Sequence, residues 1–90
     1  MPSILGSRSA GEVAFAYDSE SDVLYVWLGT SPREAVAHFD DDDDAVLIRR
    51  DPRTHDVVGA TILAFSQADS ERLARVPFAV DWAAIRSKVL

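Results

Sequence analysis

Residues 12–28 read Glu12-Val-Ala-Phe-Ala-Tyr-Asp-Ser-Glu-Ser-Asp-Val-Leu-Tyr-Val-Trp-Leu28, two apolar segments joined by an acidic turn. In the first segment large and small apolar residues alternate, which is typical of a β-strand. The second, residues 23–28, is apolar throughout and rich in the β-branched and aromatic types that favour strands. Because residues 18–22 are a run rich in turn formers, Asp and Ser, the whole stretch predicts a β-hairpin.

Three further strand-like segments follow, with strand starts recurring about every 11 residues. They are residues 34–39, 45–50 and 57–65, although the alanine-rich segment 34–39 is also compatible with a helix. Gly59 lies inside the last segment and indicates a bulge or a close backbone approach. Short turns between regularly spaced strands predict a five-stranded antiparallel β-meander.

The periodicity of the sequence changes after residue 65. Ser66 and Asp69 match a helix-capping pattern, which predicts a short helix that continues to Arg75 and ends before Pro77. Asp81 is suited to cap a second helix that runs to the C-terminus. Its apolar stripe consists of Trp82, Ile85 and Val89. The predicted fold class is therefore α+β, a five-stranded antiparallel β-meander followed by two short C-terminal helices.

Length and composition exclude several classes of protein. Ninety residues predict one domain, residues 12–90, behind a flexible N-terminal tail of residues 1–11. The chain has no cysteine, which excludes disulfides, thiolate nucleophiles and Cys-ligated metals. The net charge of −6 argues against nucleic acid or an anionic membrane as a partner. No segment matches a signal peptide or a membrane span, so we expect a cytoplasmic protein.

The stretch Tyr17-Asp-Ser-Glu-Ser-Asp-Val-Leu-Tyr-Val-Trp-Leu28 resembles a prokaryotic family, the domain of unknown function 2283. That family carries the pattern Tyr-Asp-x-Glu-x-Asp-x-Leu-Tyr-aliphatic-x-Leu. The later stretch Val57-Val-Gly-Ala-Thr-Ile-Leu63 is similar to a second motif of the same family. The resemblance implies a small β-meander with a C-terminal helix and no established reaction. Some family members are encoded beside small toxin-like proteins, so it also implies an antitoxin-like or partner-binding role.

The acidic segments are the candidate sites for chemistry. No nucleophile, phosphate-binding or metalloprotease motif occurs, so we assign no catalytic residue and no cofactor and expect a protein that is not an enzyme. Five consecutive aspartates, Asp40–Asp44, offer oxygen ligands for a cation, with Asp40, Asp42 and Asp44 as candidates. The alternatives are a solvated loop or a docking surface for a basic partner. We expect Asp18 and Asp22 to accept hydrogen bonds from backbone N–H groups of the first turn itself.

The second strand is apolar on both faces, and a sheet of that kind needs cover on both sides. The predicted helices supply one cover, and a second subunit or the N-terminal tail supplies the other. We therefore predict a homodimer, either through the face of Tyr25 and Trp27 or by exchange of the helix that carries Trp82, Ile85 and Val89. The predicted function is a protein–protein interaction module, with a small basic protein as a further possible partner. The alternative is a small ligand- or metal-binding domain that uses the acidic turns.

Overall fold

A computed structural model describes residues 13–29 and 35–90. Its strands are β1 (Val13–Asp18), β2 (Val23–Leu28), β3 (Val36–Phe39), β4 (Val46–Arg50) and β5 (Val57–Leu63). A 3-10 turn, Phe65–Gln67, and two helices, α1 (Ser70–Leu73) and α2 (Trp82–Val89), follow. The predicted α+β class, with five antiparallel strands ahead of two short helices, is confirmed. The predicted tail, residues 1–11, lies outside the described residues.

The strands lie in the order β1-β2-β5-β4-β3, and every neighbouring pair is antiparallel. Consecutive strands are neighbours except β2 and β3, because β5 lies between β2 and β4. The last strand of the chain is therefore the central strand of the sheet. Residues 58–62 of β5 are all buried, as a central strand requires, and the two edges of the sheet are β1 and β3.

The ladder between β4 and β5 is irregular next to Gly59. Arg49 pairs with Gly59, but the next residue of β4 skips one position of β5, which leaves Val58 as the extra residue of a β-bulge. On its other side Gly59 approaches β2 so closely that a Cβ would lie 2.6 Å from the carbonyl oxygen of Val26. The bulge and the close backbone approach expected from the sequence are both confirmed.

The C-terminal segment covers one face of the sheet. The strands contribute to the core the side chains that point to this face: Val13, Phe15, Leu24, Val26, Val46, Ile48, Ala60 and Ile62. The segment after β5 contributes Phe65, Leu73 and Ile85, all 6% exposed or less. Burial of one such side chain stabilises the fold by about 1.5–3 kcal/mol, so the helices are held in place mainly by this contact.

Phe65 is the centre of the contact between the sheet and the C-terminal segment. Its ring is fully buried and meets the ring of Tyr17 edge-on, with 6.0 Å between the centroids. The Trp82 ring of α2 lies 6.4 Å from it, and the Arg86 guanidinium lies 5.0 Å from its centroid. Arg86 also donates to the carbonyl of Ala68 at 3.0 Å. One ring therefore contacts β1 and α2 at the same time, and the cation adds to the attraction.

The last strand ends earlier than the sequence predicts. β5 stops at Leu63 because Ala64 adopts a left-handed conformation with φ of 52°, and Phe65 then begins the 3-10 turn. A left-handed residue cannot continue a strand. The predicted end at residue 65 is therefore wrong by two residues.

Aspartates cap both helices. Asp69, and not Ser66, caps α1, because its side chain accepts the N–H of Arg72 at 2.9 Å. Helix α1 therefore begins later than the sequence predicts. It also ends earlier, at Leu73 and not at Arg75. Asp81 caps α2 as predicted, accepting the N–H of Ala84 at 3.0 Å.

We predict that Gly59→Ala lowers the free energy of unfolding by about 1–3 kcal/mol, because the added methyl group collides with backbone. The carbonyl of Val26 at 2.6 Å belongs to a strand on which the core depends, so it has little freedom to move. Urea denaturation followed by tryptophan fluorescence measures the change. Gly59→Ser introduces the same first atom and should cost at least as much. An unchanged midpoint in both variants would contradict the packing described for this strand pair.

Candidate functional site

The candidate functional surface is the face of the sheet opposite the helices. One row of paired positions crosses it and consists of Tyr25, Thr61, Leu47 and Phe39. Trp27 lies beside this row, at the position paired with Gly59. We call these five side chains, Tyr25, Trp27, Leu47, Thr61 and Phe39, the open face. Tyr25 and Phe39 are 40% and 55% exposed, so two aromatic rings of the open face meet solvent.

Two buried polar atoms of the open-face side chains have no hydrogen-bond partner among the described residues. They are the indole Nε1 of Trp27 and the hydroxyl Oγ1 of Thr61, both inaccessible to solvent. Buried polar groups are paired in most proteins, and an unpaired one costs about 1–3 kcal/mol. Among residues 13–29 and 35–90, the open face therefore holds a donor and a hydroxyl that no other group pairs with.

The structure separates the two groups of residues predicted to form an interface. Tyr25 and Trp27 share the open face. Trp82, Ile85 and Val89 lie on the other side of the sheet, where all three pack against this chain's own core. An exchanged helix would make the same core contacts in a second subunit, so both predicted interfaces stay predictions. Only the first group includes a large side chain that is free for a new contact.

The acidic loop, Asp40–Asp44, contacts helix α1 and the residues just after it. Arg72 donates its Nε–H to Asp43 at 2.8 Å. Arg75 lies between Asp40 and Asp42, at 3.4 Å and 3.3 Å from their carboxylates. A hydrogen bond from Arg72 and the backbone N–H of Ala45 lower the pKa of Asp43. The basic group that docks on this loop is therefore supplied by the chain itself.

The same contacts bear on the candidate cation ligands Asp40, Asp42 and Asp44. Arg75 already stands between the first two carboxylates, and a bound cation would compete with its guanidinium. In the part of the chain that the structure describes, no three acidic or histidine side chains converge as a metal site would require. A cation site at these residues stays a prediction.

Asp22 has a role that the sequence analysis did not find. Its carboxylate accepts the hydroxyl of Tyr17 at 2.6 Å, and it accepts both the backbone N–H and the hydroxyl of Ser66. Its carbonyl accepts the N–H of Phe65 at 3.0 Å. Asp18 does bond the turn as expected, accepting the N–H groups of Glu20 and Ser21. Asp22 instead joins the first hairpin to a segment 44 residues later.

These bonds shift two pKa values in opposite directions. Hydrogen bonds from Ser66 and Tyr17 lower the pKa of Asp22, because they stabilise its ionised form. The bond to that carboxylate raises the pKa of Tyr17, because the phenol must keep its proton to donate it. Asp22 also has a left-handed φ of 58°, a conformation that aspartate tolerates better than most residues do. In the sequence, the occurrence of Tyr17 and Asp22 in one hairpin motif could have indicated their hydrogen bond. Nothing in that motif indicates Ser66 as a further partner.

Comparison with family models, curated proteins and solved structures found no match to this chain. The resemblance to the domain of unknown function 2283 therefore stays a prediction. Within the described residues, no helix has the length and apolar character needed to cross a membrane. The surfaces described above are consequently the basis for any functional proposal.

We predict that the fold loses stability in acid through Asp22 and Asp43. Both carboxyl groups have pKa values below their ordinary value of 3.8, so they bind protons less readily in the folded chain than in the unfolded one. Their contribution is fully present above pH 3.8 and is lost as the pH falls towards the folded-state values. Asp22→Asn should lower stability at neutral pH and make the decline below pH 3.8 shallower.

Urea denaturation midpoints measured across this acidic range test the prediction. Asp41→Asn is the matched control, since Asp41 is exposed and pairs with none of the described residues. The control should keep the acid dependence of the unaltered protein. If Asp22→Asn kept it as well, the hydrogen bonds to Tyr17 and Ser66 would not be the cause of the pKa shift.

Proposed function

We propose that the protein is a non-catalytic protein–protein interaction module that binds its partner through the open face. The observation that carries the proposal is the exposure of Tyr25 and Phe39, two aromatic rings in one row of a sheet whose other face is covered by the chain's own helices. Aromatic side chains are enriched at protein interfaces, because they bury a large area at a low cost in conformational entropy.

The negative charge of the acidic loop, which lies beside the open face, supports a basic partner. Phe39 is followed directly by the acidic loop, in which Asp41 and Asp44 are exposed. The loop carries five carboxylates, and three of them pair with the two guanidinium groups of Arg72 and Arg75, so the loop remains negative after these pairs are made. An apolar row with an acidic rim fits a small protein that has a basic rim around an apolar patch. An antitoxin-like role in the cytoplasm is the form of this proposal that the family resemblance favours.

Site-specific photo-crosslinking tests the proposed face without removing an aromatic ring. A benzophenone amino acid replaces Tyr25 in cells that express the protein, and ultraviolet light then captures whatever lies against that position. We expect a discrete covalent adduct in high yield, because a bound partner holds its C–H groups next to the ring. Mass spectrometry of the adduct identifies the partner and separates a second copy of this chain from a different protein.

The matched control places the same amino acid at Leu90, which is 57% exposed but belongs to the C-terminus. It should give only diffuse, low-yield products. Equal yields at the two positions, or no adduct at position 25, would contradict a partner on the open face. Circular dichroism of both variants confirms that each one is folded.

A further inference from the structure

The two edge strands of the sheet differ sharply in how they are covered. In β1 the first three residues are buried, and Phe15 has no exposed surface at all. In β3 all four residues are exposed, including Val36 at 57% and Phe39 at 55%. Proteins normally protect an edge of this kind with lysine, proline or a bulge, and β3 (Val-Ala-His-Phe) contains none of these. β3 is thus an apolar edge that is suited to pair with another strand.

The direction of the free backbone groups on β3 follows from two hydrogen bonds. The N–H of Asp40 donates to the carbonyl of Val46 at 2.8 Å, so Asp40 faces β4. The N–H of Leu63 donates to the carbonyl of Ala45, so Ala45 faces β5 and its neighbour Val46 faces β3. Residues of an antiparallel ladder alternate between these two directions. The N–H and C=O groups of Ala37 and Phe39, and of Ala35 just before the strand, therefore point away from the sheet.

We infer that β3 pairs with β3 of a second copy of this chain, antiparallel and centred on Ala37, so that two five-stranded sheets become one continuous sheet. This inference rests on the proposed function in one respect, that the protein is an interaction module. It concerns a different surface, the edge of the sheet and not the open face. A two-fold axis through Ala37 keeps the helices of both copies on the same side. The open faces of the two copies then join into one larger surface.

The residues that point outward complement one another under this symmetry. Ala37 lies opposite Ala37 of the second copy, and Ala35 lies opposite the second copy's Phe39. Each of these pairs consists of two residues whose N–H and C=O groups both point outward, so each can exchange two hydrogen bonds. The bulky Phe39 ring lies opposite an alanine, so the facing strand presents no large side chain that would collide with it.

The charges at the two ends of β3 also favour a second copy. Arg50 of β4 pairs with Val36 at the start of β3, whereas the acidic loop follows its end. An antiparallel pairing places the start of one β3 beside the end of the other. The end of β3 that lies beside Arg50 in each copy is then next to the acidic end of β3 in its partner, twice in every dimer. A parallel pairing would instead bring the two acidic loops together, and like charges at that distance repel.

Engineered cysteines test both the dimer and its centre, because the natural chain contains no cysteine. In a hydrogen-bonded antiparallel pair the Cα atoms are about 5.5 Å apart, within the range of about 4.4–6.8 Å that a disulfide spans. Ala37→Cys should therefore form a disulfide-linked dimer under mild oxidation. Val36→Cys is the matched control, since Val36 is also exposed but lies opposite His38 of the second copy and not opposite itself. We expect Val36→Cys to remain largely unlinked.

Sedimentation equilibrium of the unaltered protein and of Ala37→Pro gives the second readout. The unaltered protein should show twice its chain mass of 9.9 kDa at micromolar concentrations. Ala37→Pro should show a single chain mass, because it removes a donor that points outward and leaves the ladder to β4 intact. Its urea midpoint shows whether the fold is kept.

Three results would overturn the inference: a monomer mass for the unaltered protein at all micromolar concentrations, a folded Ala37→Pro that stays dimeric, or faster linkage of Val36→Cys or His38→Cys than of Ala37→Cys. If any of these results were found, an adduct between position 25 and a different protein would still support the proposed function. Conversely, a linked Ala37→Cys dimer with no adduct at position 25 would support the edge pairing and contradict the open face as the binding surface.

Discussion

The position of the C-terminal segment depends on the carboxylate of Asp22. It accepts hydrogen bonds from Tyr17 within its own hairpin and from Ser66 beyond the last strand. The backbone carbonyl of the same residue holds Phe65, whose ring then lies against Tyr17 and Trp82. This single residue therefore joins the first hairpin to the point where the chain leaves the sheet. The helices are too short to be stable alone, so their place depends on this junction.

The covered face has a direct consequence for the other face. The C-terminal segment places its apolar side chains against the face that carries Leu24, Val26 and Ile62. The open face keeps Tyr25 and Phe39 in contact with solvent, and the edge strand β3 keeps its apolar side chains exposed. The acidic loop connects these two surfaces and is held by Arg72 and Arg75. Exposed apolar side chains and acidic side chains thus lie next to each other along β3 and the loop that follows it.

Local features were predictable because they depend on neighbours in the chain. The alternating pattern of β1, the acidic turn before Val23 and the cap at Asp81 all follow from short-range rules, and the structure confirms them. Ser66 was assigned to the wrong role because a serine three residues before an aspartate looks like a helix cap. In the structure its hydroxyl bonds to Asp22, which is 44 residues away. No local rule includes a partner at that distance.

The candidate surfaces also combine features that the local sequence predicts with features that depend on contacts between distant residues. Residue type and spacing alone predict that the second strand is apolar on both faces, that the backbone of another strand approaches Gly59 closely and that five aspartates share one loop. The folded chain, in contrast, reveals that β5 lies between β2 and β4, that Arg72 and Arg75 neutralise part of the acidic loop, and that β3 is the exposed edge. Strand order and helix docking depend on which distant surfaces bury the most apolar area together, and that choice is made by the whole folded chain.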